Sequence, residues 1–140
     1  MGAWDHQPFG NDDACDWAAD FVKLPDKRGL LSFRSDKLQF LASSLKNPNW
    51  GDDQFTIAAA EVIAAMLGRP GPQLAKPDAY TEDVAAWLAT TKLTVPPALH
   101  QAAAAAVDAI LTNSTLASDW AETGKPEWRI ATEDLLRRLS

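Results

Sequence analysis

The side chains with the greatest capacity for chemistry sit close together near the start of the chain. Asp12, Asp16 and Asp20 recur every four residues, with Cys15 among them and His6 just upstream. On a helix this spacing puts the three carboxylates on one face. Oxygen-binding cations need several carboxylates converging on a point. One helix face supplies a row instead of a cage, and no His-x-x-His or Cys-x-x-Cys pair stands by to hold zinc. The row reads as a solvated face carrying negative charge toward the positive end of a helix, with no metal site. Cys15 near a helix N-terminus could be an activated nucleophile beside His6. Asp12, Asp13 and Asp16 oppose that by disfavouring the thiolate, so Cys15 reads as a structural thiol. His100 stands in no motif, and Asp52-Asp53 and Glu82-Asp83 fall at helix starts, where capping accounts for them. The chain carries no P-loop, dinucleotide fingerprint or Gly-x-Ser-x-Gly. The expectation is a protein that is not an enzyme, with no catalytic residue and no cofactor.

Apolar spacing close to 3.6 residues dictates the elements that carry these groups. Asn11 is a good N-cap for a helix from about Asp12 to Leu24, with Ala14, Trp17, Ala18 and Phe21 as its buried stripe and Asp13, Asp16 and Asp20 on the wet side. Trp4 and Phe9 precede the cap, and Pro8 and Gly10 let the two rings fold back as a clasp on the first helix. Pro25 closes that helix. A second helix is expected from about Ser35 to Lys46, burying Leu38, Leu41 and Leu45, and a third from about Asp52 to Leu67 around Phe55, Ala59, Val62 and Met66. Gly68, Pro70, Gly71 and Pro72 then punctuate the chain, and 69–80 reads as an irregular connection. Further helices follow: Thr81 to Thr90, capped by Thr81; one opened by Pro96 and Pro97 and burying Leu99, Ala103, Ala106 and Ile110; one capped by Ser114; and one opened by Pro126. Arg137 and Arg138 complement the negative end of the last. Only Lys92 to Val95 hints at a strand. The fold class expected is all-α, an irregular bundle of six to seven helices in one domain spanning residues 1–140.

Bulk properties narrow the partners. A formal charge of −6 argues against nucleic acid or an anionic membrane, since phosphate binding runs on Lys and Arg. It suits a basic protein partner, because opposite charge speeds encounter. The single cysteine excludes an intrachain disulfide. With no apolar run of membrane-spanning length and no basic, apolar leader, the expected location is the cytoplasm.

The head MGAWDHQPFGNDDACDW carries a more specific signal through Met1, Gly2, Trp4, Pro8, Phe9, Asn11, Asp12, Ala14, Asp16 and Trp17. It resembles the opening of a bacterial family of unknown function, numbered 4259. Asp5 and Gln7 stand where that family's pattern has glycines. The third helix, through Ala58 to Ala60, Glu61, Val62 and Gly68, is similar to the family's Ala-Ala-Glu segment. The resemblance supports the helical fold and implies no activity.

A small acidic domain without catalytic groups points to a non-enzymatic protein-binding module. One form is an immunity protein or antitoxin that neutralises a bacterial toxin by covering the surface of a basic toxin domain. The alternative is a cytoplasmic adaptor or enzyme-accessory protein. The face expected to meet the partner draws on Asp13, Asp16 and Asp20 of the first helix and Asp52 and Asp53 of the third. Trp50, in the loop between the second and third helices, is the expected aromatic anchor.

Overall fold

A computed structural model describes residues 9–24, 36–45 and 53–140 of the chain. Trp4, His6, Trp50 and Asp52 lie outside the described residues, as does the part of the clasp built on Trp4. Eight helices and no strand occur among the described residues: α1 (Asp12–Lys23), α2 (Asp36–Ser44), α3 (Asp53–Met66), α4 (Pro72–Ala75), α5 (Glu82–Thr90), α6 (Pro97–Thr112), α7 (Thr115–Glu122) and α8 (Glu127–Arg138). The fold is all-α. The helix beyond the expected six to seven is α4, a single turn inside the stretch read as irregular. Pro72 opens it, where the missing N–H costs nothing, and the surrounding glycines and prolines hid it from the sequence. Lys92 to Val95 is irregular.

α3 is the centre. Residues 56–64 are all buried, and α1, α2, α5, α6 and α8 all pack on it. Ala58, Ala59, Ala60 and Ala64 give it a thin profile, so five neighbours can approach closely. The helix closes in a Schellman motif. Gly68 takes φ +85°, and its N–H bonds the Ala65 carbonyl at 3.0 Å while the Arg69 N–H bonds that of Ala64 at 2.9 Å. Glycine adopts that left-handed backbone without steric cost.

α1 forms as its sequence dictates. The Asn11 side chain accepts from the Ala14 N–H at 2.7 Å, and Asp12 and Asp13 occupy the first turn. Ala14, Trp17, Ala18 and Phe21 are buried. Leu24, the residue before Pro25, is extended at φ −76° and ψ 145°, as a residue preceding proline must usually be. Asn11→Ala is expected to lower stability by about 1 kcal/mol. The urea midpoint should fall with an unchanged denaturant slope, and an unaltered midpoint would show that the cap contributes nothing.

The described part of the head is a clasp. Phe9 is buried and its N–H donates to Gln73 Oε1 of α4 at 2.8 Å. Trp17 stacks on Phe21, centroids 5.1 Å apart, and on Phe40 of α2 at 5.5 Å, while Phe21 meets the edge of Trp87 of α5 at 4.9 Å. Trp17 Nε1 donates to Ser44 Oγ at 2.8 Å, and Thr56 Oγ1 of α3 donates to the Ser44 carbonyl at 2.7 Å. Rings and hydrogen bonds thus join α1, α2, α3 and α5.

Two sequence expectations need correction and a third is extended. Thr81 does not cap α5: its hydroxyl accepts from the Asp78 N–H at 3.0 Å and donates to the Gln73 carbonyl at 2.8 Å, pinning the turn before α5 to α4. In α6, Val107 takes the buried place expected for Ala106, which is half-buried. Arg137 and Arg138 both stand in the last turn of α8 as expected, and Arg138 also reaches into the body of the protein, as described below.

Candidate functional site

The acidic row lies on the surface. Asp13, Asp16 and Asp20 are exposed on the outward side of α1, along the edge of the buried Trp17 and Phe21, with Asp12 and Ala19 also exposed. None of Asp13, Asp16 and Asp20 takes part in a hydrogen bond or ion pair among the described residues. Their charge is directed outward, away from the fold. Asp53 leaves the expected face. It is 7% exposed, because the first turn of α3 is enclosed by its neighbours, so it has no surface to offer a partner. The expected acidic face is therefore reduced, within the described residues, to its α1 part.

The turn before α5 lies near Cys15 of α1. The Cys15 thiol is pushed up by its burial, then by the charges of Asp78, Asp12 and Asp16 in that order. Asp78 therefore lies close enough to α1 to share its field. Asp78 Oδ1 accepts from the Tyr80 N–H at 2.9 Å, which fixes the turn, and the Tyr80 ring is 60% exposed. The sequence reading missed both residues, although Asp78, three positions ahead of Thr81, carries the spacing of a side-chain-stabilised turn. The raised thiol pKa leaves Cys15 protonated at neutral pH. Its Sγ sits 3.5 Å from the Phe9 carbonyl, packing against the head. Among the described residues no cluster of three or more His, Cys, Asp or Glu side chains could hold a metal ion.

Two further charged groups lie deep in the fold. Lys37 of α2 is 3% exposed; its ammonium bonds the Leu24 carbonyl at the end of α1 and lies 5.6 Å from the centroids of both Phe21 and Trp87. Glu61, in the middle of α3, is 1% exposed. Its Oε1 accepts from the Gly71 N–H at 2.6 Å and from Arg138 Nη1 at 2.8 Å, and its Oε2 from Arg138 Nη2 at 2.9 Å. Arg138 also donates to Asp134 Oδ2 and to the Arg69 carbonyl, while Arg69 reaches back to the Arg138 carbonyl at 3.2 Å. Burial works against the Arg138 charge, but the hydrogen bonds and charges of Glu61 and Asp134 outweigh it and push its pKa upward. A carboxylate so enclosed and so fully bonded has no room for substrate. It ties α8 and the 69–71 turn to α3. Gly71 makes the approach feasible, since a Cβ there would come 2.2 Å from Glu61 Oε1. His100 serves the same end of the molecule, its Nε2 donating to the Leu139 carbonyl.

The described helices thus enclose Lys37 and Glu61 and leave the carboxylates of Asp13, Asp16 and Asp20 exposed. Residues 2–131 match the model of the family described as a domain of unknown function, DUF4259, and the chain belongs to that family. Neither the curated proteins nor the solved structures yield a match. No helix among the described residues is long and apolar enough to cross a membrane.

Proposed function

We propose that the chain is a non-catalytic protein-binding module whose α1 face docks a basic protein surface. The observation that carries this reading is the set of outward carboxylates of Asp13, Asp16 and Asp20 on a helix whose other side is locked into the core. A helix already fixed by its cap and its aromatic packing loses little conformational freedom on binding, so its charge contributes directly to encounter and register. Tyr80, exposed in the turn before α5, is the residue to which we assign the aromatic anchor's role expected of Trp50. The form of this function we favour is an immunity protein or antitoxin of a bacterial cell's cytoplasm, which covers the basic surface of a toxin domain.

The test is recovery of the partner from the source cell by the intact chain and by the variant Asp13→Lys/Asp16→Lys/Asp20→Lys. The wild type should retain a basic protein in near-stoichiometric amount, and the variant at least about tenfold less, one order of magnitude being about 1.4 kcal/mol. Far-ultraviolet circular dichroism of the two should agree, because the three positions are exposed. If the retained protein is toxic when expressed alone, co-expression of the wild type should rescue growth and that of the variant should not. A harmless metabolic partner would instead make the chain an adaptor. Equal retention by both chains would remove α1 from the binding surface.

A further inference from the structure

A second surface lies on α8, which packs on α3 and α6 and carries none of the α1 carboxylates. Its outward side is a shallow groove of about 330 Å³ between Pro72 of α4 and Glu127, Ile130, Ala131, Asp134 and Arg137 of α8. Spacings of three and four residues put those five positions on one helix face. Ile130, in the first half of the groove, is 62% exposed, the highest exposure of any large apolar side chain among the described residues.

Charge along this face is ordered. Glu127 opens it, Ile130 and Ala131 follow, and Arg137 closes it, with a side chain 76% exposed. Asp134, near the basic end, keeps Arg138 Nε at 2.9 Å within its own chain when Arg137, 3.5 Å from its other oxygen, turns to a second copy. A face that is acidic at one end, apolar near the middle and basic at the other end is complementary to itself when turned end for end. Glu127 and Arg137 are ten residues apart, about 15 Å along the helix. A two-fold axis crossing α8 near residue 132 would set Glu127 of each copy against Arg137 of the other and make both contacts at once. The Ile130–Ala131 stretch of each copy would then cover the Asp134 segment of the other, where the carboxylate is already neutralised. Isologous contacts of this kind are how most homodimers close.

We infer that α8 is a self-association face on which a second copy of this chain packs antiparallel. Helix α8 is 12 residues, and one helix pair covers less than the roughly 1,200 Å² of a standard stable interface. Contacts below that size are those of weak, transient association. The inference does not depend on the α1 reading, which concerns a different helix and a different partner.

Sedimentation velocity on the full chain, from about 5 to about 500 µM, tests it. The wild type should pass from one-chain to two-chain mass within that range. Arg137→Glu should raise Kd at least about tenfold, as should Glu127→Arg, because each sets like charges against each other at both ends of the contact. The double swap Glu127→Arg/Arg137→Glu should restore wild-type association. Ile130→Glu, which touches neither charged end, should abolish it. A wild type that stays monomeric throughout overturns the inference, as do single variants that associate normally or a folded double swap that does not recover. Growth to species beyond two chains would overturn the two-fold arrangement. If a charge variant fails to fold, the wild-type series and Ile130→Glu still decide.

Discussion

Glu61→Ala should destabilise the protein by about 3–5 kcal/mol, because it leaves the largely enclosed Arg138 guanidinium without its main counter-charge and the buried Gly71 N–H without its acceptor. Two Arg138 bonds to Glu61, at 2.8 and 2.9 Å, and the 2.6 Å bond from the Gly71 N–H would be lost together. At about 3 °C of melting temperature per kcal/mol for a chain of this size, the midpoint should fall by about 10–15 °C. The cost comes chiefly from the group left behind, not from the net worth of the pair. Removing that group as well should therefore recover part of the loss. The double variant Glu61→Ala/Arg138→Ala should melt above Glu61→Ala alone. Losses that simply add would show that the two side chains act independently, contrary to the geometry. Glu61→Gln should fall between wild type and Glu61→Ala, since it retains an acceptor for Gly71 and loses the charge.

Trp17→Ala should be comparably severe, at about 3–5 kcal/mol, the range for large aromatic side chains removed from cores. The ring stacks on Phe21 and Phe40 and its Nε1 reaches Ser44, so its loss opens a cavity where α1, α2 and α3 meet. Trp17→Phe keeps a stacked ring and forfeits the hydrogen bond, and should cost about 1 kcal/mol. Chemical denaturation of the three proteins measures both differences. A Trp17→Ala chain with a wild-type midpoint would mean that the clasp around Phe9 and Trp17 is not what holds the head in place.

How far the sequence could be read depended on how local each determinant was. The α1 cap and stripe were legible because Asn11, the two aspartates after it and the four buried positions all act within three turns of one another. The outward face followed from the same periodicity, so the exposure of Asp13, Asp16 and Asp20 came with it. Asp53 was legible as a helix-start residue but not as a buried one, since its enclosure depends on the neighbours of α3. Nothing local marks Lys37 as buried, because Phe21, Trp87 and the Leu24 carbonyl are brought around it only by folding. Arg138 shows the same limit. A cation in the last turn of a helix is fully explained by the helix dipole, and nothing local announces a carboxylate 77 residues earlier. The self-complementary order of charge on α8 was present in the sequence throughout. It acquires meaning only once α4 and α8 are seen to leave that face uncovered.

If the acidic α1 face guides a basic partner onto this protein, as proposed, salt must slow their encounter. The most direct measurement is the association rate with the isolated partner at increasing salt, for the wild type and for Asp13→Lys/Asp16→Lys/Asp20→Lys. Screening shortens the Debye length from about 30 Å at 0.01 M to about 8 Å at 0.15 M, so a steered encounter slows steeply over that interval. The wild-type rate should fall at least about tenfold, while the variant starts slower and changes far less, so that the two converge at high salt. Parallel curves of equal height for the two proteins would contradict the account.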